Sequence, residues 1–162
     1  MAKALVVFYS RTGNTKKMAE AIAEAMQKNG VPTDLRKVES VAVPELLGYE
    51  AIILGSPTYY GTMAWEVKKL LDESVKFHGK LRGRVGGAFT SSGNLAGGNE
   101  TTVLDMLRGL MIHGMVVQGD EHGDHYGPAA VGKPDQRSLR SCERYGQRLA
   151  ELIKKLFPES KP

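Results

Sequence analysis

The sequence predicts an α/β fold, an open five-stranded parallel sheet covered by helices on both faces. Three observations predict it. Five short apolar runs alternate along the chain with segments of helical periodicity. The strongest runs are continuous rather than alternating, as strands buried on both faces require. No internal repeat or low-complexity stretch interrupts the pattern, so right-handed crossovers are expected throughout.

The elements follow in order. Ala4-Leu5-Val6-Val7-Phe8-Tyr9 is the first buried strand. Thr15 to Lys28 is a helix, with Met18, Ala19, Ile22, Ala23 and Met26 on one face and Asn29-Gly30 as its stop. Thr33 to Val38 is more polar and suits a sheet edge. Pro44 to Leu47 reads as a short helix or turn. Ala51 to Leu54 is a second buried strand and runs into Gly55-Ser56-Pro57. Ala64 to Ser74 is a helix with Trp65, Val67, Leu70 and Leu71 inward. Val85 to Phe89 is a third apolar run, Glu100 to His113 a helix, and Met115-Val116-Val117 the last strand. Gly119 to Pro134 is a long loop. Asp135 to Phe157 closes the chain as a helix, with Leu139, Tyr145, Leu149, Leu152, Ile153 and Leu156 as its buried stripe.

Composition narrows the function classes. The 162 residues fit one domain, expected over 1–157 with a frayed tail at 158–162. The N-terminal apolar run is too short to span a membrane and lacks a cleavage-site pattern. Cys142 is the only cysteine, so cytoplasm is the default compartment. The net charge of +4 is spread over helix faces, with Lys16, Lys17, Lys68, Lys69, Lys154 and Lys155 beside Glu and Asp. That is a solvated pattern and argues against a nucleic-acid surface.

In an open parallel sheet, ligands bind beyond the carboxyl ends of the strands, near the switch point. Three segments fall there. The first is Ser10-Arg11-Thr12-Gly13-Asn14-Thr15, which combines hydroxyl donors, a flexible glycine and a helix start. It suits a phosphate, although a plain helix cap reads the same way. It lacks the Gly-Lys-Ser/Thr of a nucleotide P-loop and the glycines of a dinucleotide fingerprint. The second is Gly55-Ser56-Pro57-Thr58-Tyr59-Tyr60-Gly61. Its adjacent tyrosines can wall a flat conjugated ring or pack over the strand ends. The third, Thr90 to Asn99, carries Ser91, Ser92, Gly93, Asn94 and Leu95. It can clamp a polyol and the polar edge of a ring, or be a mobile surface loop. Together the three offer phosphate, ring and polyol functions, a set that describes FMN.

Motif by motif, the chain resembles flavodoxin-like proteins. YSRTGNT is similar to the phosphate loop of flavodoxins, and GSPTYYG to the ring-binding loop of the WrbA-type NAD(P)H:quinone oxidoreductases. FTSSGNLAGGNETT, IHGMVV and YGPAAVGKPDQ are similar to later segments of that group. The resemblance implies a flavodoxin-like three-layer sandwich with strand order 2-1-3-4-5 and non-covalent FMN. Ser10, Arg11, Thr12, Gly13, Asn14 and Thr15 would surround the phosphate. Pro57, Thr58, Tyr59, Tyr60 and Gly61 would lie at the ring, and Ser91 to Leu95 at the ring edge and ribityl. The resemblance also puts His113 near the flavin. The chain is shorter than that group between the second and third strands and after the fifth, and Phe77 is an inexact match for the aromatic residue the group presents to a neighbouring flavin.

Asp120 to Tyr126 carries two histidines and several carboxylates, but the spacing is too loose for a metal site. The segment reads better as a loop closing over the flavin, with His125 or Tyr126 near the ring. His113 near a helix end also suits the helix dipole. Cys142 and Arg148 have phosphatase-loop spacing but sit in a helical segment. The expected activity is an NAD(P)H:quinone oxidoreductase-like FMN reductase. NADH or NADPH would donate a hydride, and a quinone or similar small-molecule acceptor would take two electrons. The flavin carries the chemistry, no side-chain acid or base is assigned, and Arg11 or Tyr59 would help seat donor or acceptor. The alternative is a flavodoxin-type electron carrier between redox proteins, and a third reading is the fold without a flavin. A homo-oligomer, dimer or tetramer, is a further expectation of the resemblance.

Overall fold

A computed structural model describes residues 1–158, and the remainder of the expected C-terminal tail lies outside the described residues. The strands are β1 (Ala4–Phe8), β2 (Thr33–Lys37), β3 (Ala51–Tyr59), β4 (Thr62–Met63), β5 (Val85–Ser92), β6 (Val116–Val117) and β7 (Ala129–Val131). The helices are α1 (Asn14–Lys28), α2 (Trp65–Glu73), α3 (Asn99–Ile112) and α4 (Gln136–Leu156).

Five parallel strands run in the order β2-β1-β3-β5-β6, which is the expected 2-1-3-4-5 arrangement. β2 is at the edge, as its polarity predicts. Side chains alternate across the sheet. Ala4, Val6, Phe8 and Ile53 enter a core shared with Met18, Ile22 and Met26 of α1 and Tyr145, Leu149 and Ile153 of α4. Leu5, Val7, Ile52 and Leu54 enter a second core with Val67 and Leu70 of α2 and Met106, Leu107 and Leu110 of α3. Two sealed cores back to back explain the continuous apolar runs.

Four expectations need correction. Two further strands are present: β4 pairs antiparallel with the end of β3, and β7 pairs parallel with the end of β5. The supposed long loop from Gly119 to Pro134 therefore contains a strand, which its three residues Ala129–Val131 are too few to announce. Trp65 is 67% exposed rather than buried. It opens α2 on the outward side, where Lys69 lies over its ring at 5.9 Å. Leu156 is also exposed, because the α4 stripe closes at the fully buried Ile153 and the helix runs on past the core.

Candidate functional site

The carboxyl ends of β1, β3 and β5, three neighbours in the sheet, carry the three segments singled out by sequence. The first leaves β1 and opens α1. Gly13 caps that helix at φ 96°, a left-handed conformation that glycine adopts without strain, and no side chain caps the helix. The opening N–H groups of α1 are thus left for a ligand, with the partial positive charge of the helix start behind them. Ser10 Oγ accepts the Gly13 N–H at 3.1 Å and curls the loop. Arg11 and Thr12 are exposed, while Thr15 is buried with its hydroxyl 2.9 Å from that of Ser91.

The second segment is a hairpin rather than a loop. β3 continues through Tyr59, and β4 returns with Tyr59 opposite Thr62. The two turn residues, Tyr60 and Gly61, have φ of 49° and 79°. Positive φ at both positions is the primed turn that matches strand twist, and it favours Asn-Gly or Gly-Gly. Tyr60 adopts it at a cost of roughly 1–2 kcal/mol, with its side chain fully exposed. A strained, solvated aromatic at a sheet end makes this a candidate functional position. Tyr59 stands beside it, and Tyr9 packs edge-on against Tyr59 with ring centroids 6.3 Å apart. Below them the Thr90 hydroxyl donates to the Ser56 carbonyl at 2.6 Å, so Thr58 donates to Thr90 at 3.0 Å. Tyr9 was missed as a site neighbour because it sits at the end of an apolar run that reads as core.

The third segment begins inside β5: Ser91 and Ser92 are strand residues and buried. Residues 93–98 form the loop proper, in which the Ser92 hydroxyl donates to the Asn94 carbonyl at 3.0 Å and Leu95 is 83% exposed. Gly98 caps α3 at φ 97°, again with no side-chain cap. A Cβ there would meet the Gly61 Cα at 2.6 Å. Thr101 Oγ1 also lies within donor reach of the Gly61 carbonyl, at 2.7 Å. The hairpin tip and the end of the third segment are therefore one unit, a contact that nothing local in the sequence signals beyond the Gly97-Gly98 pair.

His125 and Tyr126 lie on the other side of this loop. The segment carrying them is fastened to α4. Arg148 pairs with Asp120 and donates to the Gly119 carbonyl, while Arg137 pairs with Asp124 at 3.1 Å. The Ser141 hydroxyl donates to Asp124 at 2.5 Å. His125 donates its Nδ1–H to the Asp120 carbonyl at 2.6 Å, which fixes the ring. Between this segment and the third loop lies a cleft of about 730 Å³ that includes Leu95, Val103, Tyr126, Val131 and Arg137. Of its charged residues, Asp124 belongs to the segment weighed in the sequence, while Glu100, Asp135 and Arg137 escaped notice because they sit at helix starts.

His113 is not at this end. It follows the last residue of α3, whose fourteen residues span about 21 Å from the rim. Its ring is buried, with Nε2 2.7 Å from Ser74 Oγ. Ser74 uses its one proton on the Leu71 carbonyl, so His113 Nε2 donates to Ser74. Burial, reinforced by His78, holds the His113 pKa below its ordinary value. The sequence reading placed it near a flavin, but within this chain it fastens α3 to the end of α2. Among the described residues, no group of three or more His, Cys, Asp or Glu is arranged to hold a metal, and no helix is long and apolar enough to cross a membrane.

A parallel sheet in this order, with an uncapped helix start, an aromatic hairpin and a polar strand end on three adjacent strands, defines the flavodoxin-like class. A flavodoxin domain model matches residues 5–108, and the chain belongs to the flavodoxin family. It is 37% identical to a flavodoxin of Aquifex aeolicus, over 94% of this chain and 88% of that one. It is 40% identical to an NAD(P)H dehydrogenase (quinone) of Sinorhizobium fredii, over 96% and 99%. The solved structure of a flavodoxin, WrbA-like protein from Agrobacterium tumefaciens superposes with a TM-score of 0.82 at 29% identity, covering 96% of this chain and 99% of that one.

Proposed function

We propose that this protein is a flavoprotein oxidoreductase that holds FMN non-covalently on this rim and transfers electrons from NADH or NADPH to a quinone or similar acceptor. One observation carries the reading: the uncapped start of α1 opens beside two exposed tyrosines on the same sheet end. The first can satisfy a phosphate without other ligands, and the second offers apolar ring surface that otherwise faces water. The residues fit FMN in the order of its parts. Ser10 to Thr15 hold the phosphate, Ser91 to Asn94 meet the ribityl and the polar ring edge, and Thr58 to Tyr60 wall the ring with Pro57 and Gly61 shaping the turn. Leu95, His125 and Tyr126 bound the far side. FMN, when bound, supplies one- and two-electron redox chemistry. The chain's part is to bind, orient and shield it. The kinship to NAD(P)H dehydrogenases (quinone) supports the donor and acceptor classes, and the single buried cysteine supports a cytoplasmic setting.

A carrier between redox proteins is the second reading, favoured by the 37% identity to a flavodoxin. The visible spectrum of the purified protein with added FMN tests cofactor binding, and NAD(P)H oxidation with a quinone then separates the readings. Turnover supports the oxidoreductase; a flavin spectrum with no turnover and a stable one-electron reduced form supports the carrier; a protein that takes up no FMN ends both.

A further inference from the structure

The hairpin that carries Tyr59 and Tyr60 has little of its own to hold it. β4 is two residues long, and its pairing with β3 is limited to Thr58 with Met63 and Tyr59 with Thr62. A two-stranded ribbon of that size is not stable by itself. Its base is fastened, because the Ala64 N–H donates to Ser56 Oγ at 2.8 Å. Its tip is not fastened from within. Tyr60 is fully exposed and sits at a φ of 49°, a strain that works against the turn.

Two side chains of α3 fasten the hairpin from outside. Asp105 accepts the Thr62 hydroxyl at 2.5 Å and also pairs with Arg108. At the tip, the Thr101 hydroxyl lies between two carbonyls, 2.7 Å from that of Gly61 and 2.9 Å from that of Gly98. It has one proton for the two. The Gly98 carbonyl already accepts the Thr102 N–H at 3.0 Å and the Thr102 hydroxyl at 2.8 Å. The Gly61 carbonyl meets no other donor among the described residues. The Thr101 proton therefore goes to Gly61. The approach is possible because residue 98 carries no Cβ, which would stand 2.6 Å from the Gly61 Cα.

We propose that Thr101 is a positioning residue for the flavin ring. Its hydroxyl orders the tyrosine hairpin against the third loop before any ligand arrives, so the ring wall and the polyol clamp stand at a fixed spacing. Thr101 acts through the Gly61 carbonyl, and its role rests on the flavoprotein reading. A wall already in place spares FMN the entropy of ordering it. The bond lies near solvent, so its share of the affinity is modest, about three- to fivefold.

Two variants of the full chain test it. Thr101→Val removes the hydroxyl and keeps the shape, and Thr101→Ser keeps the hydroxyl. Amide hydrogen exchange is read at Tyr59 and Thr62, with the buried Val6 and Ile53 as the reference, in the presence and absence of FMN. Without FMN, Thr101→Val should speed exchange at Tyr59 and Thr62 about three- to tenfold and leave Val6 and Ile53 unchanged. With saturating FMN that difference should disappear, because the ligand then orders what the hydroxyl had ordered. FMN affinity should fall about three- to fivefold in Thr101→Val and return in Thr101→Ser. Unchanged exchange at the hairpin, an equal rise at Val6 and Ile53, a difference that persists under FMN, or a serine variant that behaves like the valine one would each overturn the role. An unaltered chain that takes up no FMN refutes the flavoprotein reading and this role with it. An unaltered chain that binds FMN no better than Thr101→Val overturns the role of Thr101 alone.

Discussion

The hydroxyls of Thr15 and Ser91 meet at 2.9 Å in the interior, 76 residues apart in sequence. They join the start of α1 to the end of β5 beneath the rim. Each hydroxyl has one proton, so the pair uses one and leaves the other for a further acceptor, such as a phosphate or ribityl oxygen. Thr15→Val and Ser91→Ala should each weaken FMN about tenfold, and the double variant should lose less than the product of the two. Thr12→Ala combined with Thr15→Ala should weaken FMN far more than riboflavin. Fluorescence titration with both flavins reads the result, and equal loss for the two would remove the phosphate from this loop.

Tyr60 occupies a turn position that favours asparagine. Tyr60→Asn should stabilise the flavin-free protein by about 0.5–1 kcal/mol while weakening FMN through loss of ring surface. Denaturant unfolding and flavin titration on the same sample check the opposed signs. A variant that loses stability would mean the tyrosine is packed rather than strained.

His113 makes stability depend on pH. Its folded pKa lies below the unfolded value of about 6.5, with burial the main cause and His78 the second. The unfolded chain therefore takes up the proton more readily. Stability should be complete above pH 6.5 or so and should fall as pH drops from there toward the folded pKa. His113→Gln should flatten that limb of the unfolding curve, and an unchanged limb would assign it to other groups.

Arg148 and Lys68 pair with carboxylates in different surroundings. The Arg148 and Asp120 side chains are 22% and 11% exposed, those of Lys68 and Asp72 57% and 63%. Arg148→Ala should cost about 2 kcal/mol, because it strands a mostly buried carboxylate. Lys68→Ala should cost about 0.3 kcal/mol. Thermal unfolding of the two variants provides the comparison.

Cys142 is buried, and that burial pushes its thiol pKa up to about 12. Alkylation at pH 8 should be negligible in the native protein and prompt in denaturant. Fast native labelling would mean that α4 opens locally.

The sheet was legible because Leu5 and Val7 serve one core while Val6 and Phe8 serve the other, which forces an unbroken apolar run. The segment from Ser10 to Thr15 was legible as the opening of a helix at the sheet end because its residues are contiguous. The hairpin was hidden: Tyr60 stands where turn preferences call for asparagine or glycine, so the signal for a two-residue turn was absent. β7 was hidden because its pairing with β5 is non-local. His113 misled because position along a helix says which end a residue occupies only once the direction of that helix against the sheet is known. Trp65 misled because an apolar residue at a helix start counts toward the periodic face whether or not that face has turned inward.

Gly98 has no room for even one extra carbon, because a Cβ there would press on the Gly61 backbone. Anyone diversifying this surface will find an uneven terrain. Positions 59, 95 and 126 accept most side chains without harm to the fold, because they end in solvent. Gly98 is the mechanical stop: most changes there prise hairpin and loop apart together, whereas Gly61 has open space beside it and is held to glycine by its φ of 79°. Selected libraries should return both unaltered while their neighbours drift.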